Sequence, residues 1–120
     1  MDYDLEERTA KFGEKVILFC RSLKEDNITK TLINQIIKSA TSQGANYMEA
    51  NQASSKRDFR NKIRICQKEA NETKHWLRMI SIAIPDKRDN CRELWREAHE
   101  LTLIFSKISK SCAENDKNKN

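Results

Sequence analysis

The sequence has very few residues that form turns, with only 2 glycines and 1 proline among 120 residues. A β-sandwich or β-barrel needs many turns between short strands, so this scarcity argues against both folds. Apolar runs are also short, and none reaches the roughly 18 residues of a transmembrane helix. The acidic first residues lack the apolar stretch of a secretory signal. We therefore expect an all-α cytoplasmic protein that has no membrane span.

The four cysteines show no pattern typical of a metal site. Cys20, Cys66, Cys91 and Cys112 form no Cys-x-x-Cys pair, and no histidine lies at ligand spacing from any of them. Each lies on or beside an apolar stripe of an expected helix. We expect buried free thiols, which are usual in a reducing compartment, with a zinc site or a disulfide framework as the alternatives.

Apolar residues recur in four segments with the spacing of packed helices, largely in alternating steps of three and four. The stripes are Leu5, Thr9, Phe12, Val16, Phe19 and Leu23; Leu32, Ile36, Ala40 and Tyr47; Phe59, Ile63, Cys66, Ala70, Thr73, Leu77 and Ile80; and Cys91, Leu94, Ala98, Leu101, Phe105, Ile108 and Cys112. They predict one domain over 1–112, with helices at about 4–24, 29–53, 55–83 and 87–112, and a disordered polar tail at 113–120. Short links between such helices favour an antiparallel up-down-up-down four-helix bundle.

The second and third helices have apolar residues on two faces. Ile37 lies beside the main stripe of the second helix, and Ile65 and Trp76 lie off the stripe of the third. A helix that is apolar on two faces has two neighbours in its own chain, or one neighbour and a partner subunit. Because a single bundle would expose these three side chains, we expect an oligomer that buries them.

Few residues have the spacing of a catalytic or metal site. The two histidines, His75 and His99, have no Ser, Cys or Asp at a readable triad spacing. The Glu-x-x-His pattern of di-metal bundles occurs once, from Glu72 to His75, without a second copy. Gly13 and Gly44 stand alone, so there is no glycine-rich phosphate loop. The sequence therefore predicts neither enzymatic activity nor a cofactor.

The net charge of +5 is concentrated in the middle of the chain. Residues 29–92 carry 13 basic and 6 acidic side chains, whereas residues 1–28 carry 5 basic and 7 acidic ones. Basic residues of the third helix recur every three or four positions and so share one face. The candidate nucleic-acid-binding residues are Lys56, Arg57, Arg60, Arg64 and Lys68. Such a face attracts phosphate backbones without reading base sequence.

The alternative to a binding face is an ordinary solvated one, because Asp58, Glu69 and Glu72 lie nearby in the sequence. No aromatic residue interleaves the basic residues as a base-stacking platform would. Any binding is therefore expected to depend on charge and shape.

Motifs in the centre of the chain are specific to one protein family. They are Lys38-Ser39-Ala40-Thr41-Ser42, Ala45-Asn46-Tyr47-Met48-Glu49-Ala50, Lys56-Arg57-Asp58-Phe59, and the run KEANETKHWL from Lys68 to Leu77. Over roughly residues 4 to 110, the chain resembles the four-helix bundle proteins encoded in intervening sequences of bacterial 23S ribosomal RNA. Gln43 departs from the pattern, because the family usually has an apolar residue there.

The resemblance implies a homopentamer of bundles around a central channel, without enzymatic activity. The chain is also similar to the accessory variability protein of diversity-generating retroelements, a basic pentamer that binds nucleic acid and a reverse transcriptase. Asn46 and Glu49 share one helix face, and with Arg8 or Arg57 they would form a buried or inter-subunit polar network. We therefore expect a self-associating protein that binds RNA or DNA. The alternative is a scaffold that recruits a partner protein such as a reverse transcriptase.

Overall fold

The structure, a computed structural model, describes residues 4–118, with side chains described as far as residue 113. Within that range the chain is all-α, with four α-helices and no strand. The helices are α1 (Leu5–Arg21), α2 (Asn27–Asn51), α3 (Lys56–Ala83) and α4 (Arg88–Asn118). A short 3-10 helix at Pro85–Lys87 links α3 to α4, and the molecule measures 54 × 23 × 21 Å. None of the described helices is long and apolar enough to span a membrane.

Side-chain hydrogen bonds cap the beginnings of α1 and α3. Asp4 Oδ1 accepts the backbone N–H of the residue three positions later at 3.2 Å, and Ser55 Oγ does the same at 3.0 Å. Each bond satisfies a backbone donor that has no partner within the first turn of its helix.

The start of α2 depends on a reciprocal pair of hydrogen bonds. Asp26 Oδ1 accepts the N–H groups of Ile28 and Thr29, both at 2.9 Å, and the Thr29 hydroxyl accepts the N–H of Asp26 at 2.8 Å. The bond from Thr29 is the main reason that the pKa of Asp26 lies below its ordinary value. This capping box starts α2 at Asn27, slightly before the expected residue 29.

The last helix continues past the end that we expected at residue 112 and reaches Asn118. Residues 113–118 contain no proline or glycine, so nothing in their backbone chemistry breaks the helix. The remainder of the expected polar tail, residues 119 and 120, lies outside the described residues.

One hydrophobic core lies between the four helices and contains the predicted stripes. The first stripe has six residues, which lie in α1 and the loop after it, and all six are buried. The stripe residues of α3 are also buried, apart from Phe59. In α2 and α4 the half-buried exceptions are Leu32, Tyr47, Ile108 and Cys112. The apolar spacing therefore predicted the core well in α1, α3 and α4. In α2 it predicted only Ile36 and Ala40 correctly, and Ile33 and Ala50 are buried there as well.

The core side of α3 lies between α2 and α4, against which it packs extensively, whereas α1 packs mainly on α2. Two of the small residues of α1 and α2 lie where these helices meet. A Cβ atom added to Gly13 would lie 3.6 Å from Thr41 Cγ2, and one added to Gly44 would lie 3.4 Å from Thr9 Oγ1. These are ordinary contact distances, so the helix approach does not require glycine at either position.

Three polar side chains are buried together between α2 and α3. The hydroxyl oxygens of Ser39 and Thr73 lie 2.9 Å apart, and Gln43 Nε2 donates to Thr73 Oγ1 at 3.2 Å. We call Ser39, Gln43 and Thr73 the buried polar cluster. Gln43 Oε1 is buried without a hydrogen-bond partner among the described residues. Gln43 therefore lies fully in the core with one polar atom unsatisfied.

All four cysteines are free thiols, and only Cys112 is not buried. Burial raises the pKa of Cys66 to about 12 and the pKa values of Cys20 and Cys91 to about 11. These three thiols are therefore protonated and unreactive at neutral pH. No group of three potential metal ligands occurs among the described residues.

Candidate nucleic-acid interface

The outer face of α3, opposite its core side, carries most of the basic residues singled out from the sequence. We call Lys56, Arg57, Arg60, Arg64 and Lys68 the basic stripe. Four of these side chains, all except Arg60, are exposed. None of those four forms an ion pair in the part of the chain that the structure describes. Their charges are therefore open to a ligand from solvent.

Arg60 differs from the rest of the basic stripe. It is half-buried, and it takes part in an interaction within the protein. Its charge is therefore less accessible to a ligand than the charges of the four exposed residues. The structure thus brings four of the five predicted binding residues to one open surface.

The acidic residues near the basic stripe lie toward α2. Lys62 Nζ on that flank lies 3.6 Å from Glu49 Oε1 of α2. Glu69 is half-buried, and desolvation raises its pKa, with repulsion from Glu72 adding to the effect and Lys68 opposing it. The carboxylates therefore lie beside the stripe and leave the exposed basic side chains without ion-pair partners among the described residues.

Arg8 has partners other than the ones that we expected. Its Nε and Nη2 atoms donate to the two carboxylate oxygens of Glu97, each at 2.9 Å, and Nη2 also lies 2.9 Å from Glu100 Oε1. The hydrogen bonds to Glu97 are the largest cause that raises the pKa of Arg8 above its usual range. This bidentate contact joins α1 to α4, the two helices that otherwise touch little.

The other members of the expected polar network also have local partners. Asn46 Nδ2 donates to the Ser42 carbonyl of its own helix at 2.8 Å, and Glu49 pairs with Lys62. Arg57 forms no ion pair among the described residues. A network that joins Arg8 or Arg57 to Asn46 and Glu49 is therefore not formed by the described residues of one chain.

A single chain covers part of the apolar side chains that we assigned to a subunit interface. Ile37 and Trp76 are half-buried and pack against the core. Only Ile65 stays exposed, with 37% of its surface accessible. The expectation that one bundle would expose all three thus applies mainly to Ile65.

Sequence reasoning missed an aromatic residue that lies close to α3. Trp95 of α4 stacks on His99, with ring centroids 4.9 Å apart and an angle of 15° between the rings. Lys74 of α3 places Nζ 3.1 Å from His99 Nδ1 and 5.1 Å from the Trp95 ring centroid. An ammonium group only donates, so His99 Nδ1 is the acceptor. These contacts hold an aromatic ring that remains 38% exposed beside the basic helix.

Trp95 lines a surface groove between α3 and α4. The groove has a volume of about 300 Å³ and is lined by Leu77, Arg78, Ser81, Arg88, Cys91, Arg92 and Trp95. A sequence signal for it existed, because Arg88, Arg92 and Trp95 follow one another at steps of four and three and share a face of α4. Only the packing of the helices shows that this face lies beside Arg78.

Comparison with known proteins supports the resemblance seen in the sequence. The family model described as 23S rRNA-intervening sequence protein matches residues 1–84. The chain belongs to this family. It is also similar to a crystal structure from Bacteroides thetaiotaomicron, described as a protein with unknown function from the S23 ribosomal protein family. That likeness covers 88% of this chain and 98% of the other, at 31% identity and a TM-score of 0.77. The comparison with curated proteins finds no match.

The family match covers the basic stripe but not all of the groove. Residues 1–84 of this 23S rRNA-intervening sequence protein include α1, α2 and α3. Arg88, Arg92 and Trp95 follow on α4, outside the matched residues. The groove therefore combines a helix that the family model describes with one that it does not.

Proposed function

We propose that this 23S rRNA-intervening sequence protein is a non-enzymatic oligomer that binds nucleic acid through the basic stripe. One observation carries the proposal: Lys56, Arg57, Arg64 and Lys68 are exposed on one helix without an ion pair among the described residues. From Arg57 to Lys68 the helix rises by about 16 Å. This length matches about five phosphates of one strand at 3.4 Å each.

The mode of binding follows from the chemistry of the stripe. Its residues are cations without an interleaved aromatic ring, so they contact phosphates and do not read bases. Four neutralised phosphates give a slope of about −3.6 in log affinity against log salt concentration. The affinity should then fall by roughly a hundredfold between about 50 and 200 mM salt.

We also infer that the helices run antiparallel in an up-down-up-down order. Two contacts between α2 and α3 support this order. Ser39 pairs with Thr73, whereas Glu49, later in α2, pairs with Lys62, earlier in α3. Between α1 and α2, Gly13 lies beside Thr41, whereas Thr9, earlier in α1, lies beside Gly44, later in α2. Residue numbers that change in opposite directions along a contact are typical of antiparallel neighbours.

The proposed oligomer is a homopentamer, as the family resemblance implies. Its interface would include the residues named for this role, Arg8, Ile37, Asn46, Glu49, Ile65 and Trp76. The exposed Ile65 side chain supports a subunit contact on that side of α3. Five copies of a chain with a formal charge of +5 carry about +25, a strong field for a polyanion.

Light scattering tests the assembly directly. Five copies of the 14.1-kDa chain have a mass of about 70 kDa. The Trp76→Ala variant should dissociate at least in part at micromolar concentration, whereas Leu18→Ala, which removes an exposed apolar side chain outside the proposed interface, serves as the control. A Trp76→Ala protein that keeps the full mass would contradict the proposed interface.

The binding test uses labelled duplex DNA, structured RNA and an RNA–DNA hybrid at about 50 and 200 mM salt. The stripe variant reverses Arg57, Arg64 and Lys68 to Glu, and the control variant reverses Lys15, Arg21 and Lys24, which are also exposed and basic. Both variants change the net charge equally. We expect the stripe variant to lose at least a hundredfold in affinity at the lower salt, and the control variant much less. Equal losses would show that total charge, and not the stripe, governs binding.

A scaffold for a partner protein, such as a reverse transcriptase, is the second candidate function. It is favoured by large apolar side chains that remain exposed on three helices, Leu18, Ile82 and Leu103. A scaffold would bind none of the three nucleic-acid probes at the lower salt. That result would replace the first proposal with the second.

A further inference from the structure

The groove between α3 and α4 combines three cations with one aromatic ring. Arg78 comes from α3, and Arg88, Arg92 and Trp95 come from α4. Leu77, Ser81 and the buried Cys91 complete its lining. Guanidinium groups bind phosphate through paired N–H donors, and an indole ring stacks on a nucleobase. The groove thus has partners for both parts of a nucleotide.

Two of the three cations of the groove have no ion-pair partner among the described residues, and the third has an exposed one. Arg78 and Arg88 form no ion pair within the described ranges. Arg92 Nη1 lies 3.8 Å from Asp89 Oδ1, with both side chains largely exposed. Such surface pairs are weak, so a phosphate can displace Asp89 from Arg92.

The aromatic ring of the groove is already held in place. His99 stacks on Trp95, and the Lys74 ammonium bridges His99 and the indole ring. A side chain that is ordered before binding loses little conformational entropy when the ligand arrives. The exposed part of Trp95 is therefore a prepared stacking surface beside Arg78, Arg88 and Arg92.

We propose that this groove binds an unpaired nucleotide of the nucleic acid that the basic stripe holds. The base stacks on Trp95, and the flanking phosphates contact Arg78, Arg88 and Arg92. Bases inside a duplex are stacked on their neighbours, whereas unpaired bases can turn outward and meet an aromatic side chain. The occupant is therefore a single-stranded end, loop or bulge, and not the duplex itself.

The inference rests on the proposed function, because the stripe and the groove lie along the same helix. Lys68 and Arg78 are separated by a rise of about 15 Å on α3. One strand covers that distance with about four duplex-spaced phosphates. A hairpin or a duplex with a single-stranded end can thus place paired phosphates on the stripe and an unpaired base in the groove.

The test compares two labelled probes of equal length, a single-stranded oligothymidylate and a blunt duplex, with wild type, Trp95→Ala and Trp95→Phe. Trp95→Ala should weaken binding of the single strand by tenfold or more, because stacking on one base is lost. Trp95→Phe keeps an aromatic face and should recover most of that affinity. Binding of the blunt duplex should change by less than twofold in both variants. Thermal unfolding by circular dichroism checks that the variants are folded.

Spectroscopy gives a second readout that does not depend on affinity alone. The chain has two tryptophans, so Trp76→Phe leaves Trp95 as the single indole fluorophore. Because Trp76 belongs to the proposed interface, light scattering checks that this variant keeps the wild-type mass. The single strand should quench its emission, and the blunt duplex should not.

The possible outcomes separate the two proposals. If wild type binds duplex but Trp95→Ala binds the single strand as well as wild type does, the groove inference fails and the basic stripe stands. Equal losses for both probes would also overturn the inference, since the groove would then have no preference for unpaired bases. If wild type binds neither probe at about 50 mM salt, the proposed function fails and the groove inference fails with it.

Discussion

The third helix meets α2 through hydroxyl and amide groups that are buried, and it meets α4 through cationic and aromatic groups that reach the surface. Thr73 and Lys74 are consecutive residues, yet Thr73 bonds to Ser39 and Gln43 of α2, whereas Lys74 contacts His99 and Trp95 of α4. The buried polar cluster has no access to water, while the Lys74 side chain is half-buried and the Trp95 ring is partly exposed. The polar groups of α3 that face α2 therefore find hydrogen-bond partners only within the protein, whereas those that face α4 are accessible to a ligand.

The difference between the two sides is one of solvent access. A polar group buried in the core loses its water partners, so removing its one protein partner costs the full desolvation penalty. A polar group at the surface can return to water when its partner is removed. Substitutions toward α2 should thus alter the free energy of unfolding, and substitutions toward α4 should mainly alter binding.

The largest effect on stability should come from Thr73→Val, which has nearly the same shape but no hydroxyl. It removes the acceptor of the Gln43 amide within the core, and it removes one of the two partners of the Ser39 hydroxyl, which also lies 3.3 Å from the Ile36 carbonyl oxygen. We expect a loss of about 2 to 3 kcal/mol in the free energy of unfolding, measured by urea titration. Thr73→Ser is the control, because it keeps the hydroxyl and should cost only about 1 kcal/mol for the lost methyl group. A smaller loss in Thr73→Val than in Thr73→Ser would contradict a stabilising role of the cluster.

A substitution at Gln43 should act in the opposite direction. Gln43 Oε1 is buried without a hydrogen-bond partner among the described residues, in a side chain that has no solvent-accessible surface. Gln43→Leu removes that unsatisfied atom, while Thr73 keeps the Ser39 hydroxyl and the Glu69 carbonyl as partners. We expect a gain of about 1 kcal/mol in the free energy of unfolding. Gln43→Met, which is unbranched and flexible, separates a loss of packing from the polar effect, and a loss of stability in both variants would rule out this explanation.

The sequence correctly predicted those features that depend on the spacing of nearby residues along one helix. The four helices, their core stripes and the basic stripe each follow from residues three or four positions apart on one helix. Contacts between distant segments could not be predicted in this way. Glu97 is 89 positions from Arg8, and Arg78 meets Trp95 only because α3 packs against α4. Asn46 was expected to join a network, but its amide reaches the carbonyl one turn earlier in its own helix.

Lys74→Met should change stability much less than the neighbouring Thr73→Val. Met keeps most of the aliphatic stem and loses the ammonium group that contacts His99 and Trp95. Because these groups remain hydrated, we expect a loss of about 0.5 kcal/mol or less in the free energy of unfolding. A loss as large as that of Thr73→Val would mean that the two sides of α3 do not differ as argued. Urea titration of both variants under the same conditions makes the comparison.

The smallest expected effect is a difference in alkylation rate between two thiols on opposite sides of α3. Cys66 Sγ lies 3.5 Å from the Gln43 carbonyl oxygen and is buried toward α2, whereas Cys91 lines the groove beside α4. Burial raises the pKa of Cys66 to about 12 and that of Cys91 to about 11, so at pH 8 both are protonated. Alkylation by iodoacetamide should therefore be slow at both, should accelerate about tenfold per pH unit below the pKa, and should be faster at Cys91.

Site-resolved mass spectrometry measures both alkylation rates in one sample, with the half-buried Cys112 as the faster internal reference. A bound single-stranded oligonucleotide should slow alkylation of Cys91, because it covers the groove, and should leave Cys66 unchanged. Equal protection of both thiols would indicate that the ligand suppresses opening of the whole fold. Protection of neither would indicate that the oligonucleotide lies elsewhere. The alkylation rate of Cys66 thus reports on the buried side of α3 toward α2, and that of Cys91 reports on the side toward α4 that a ligand can reach.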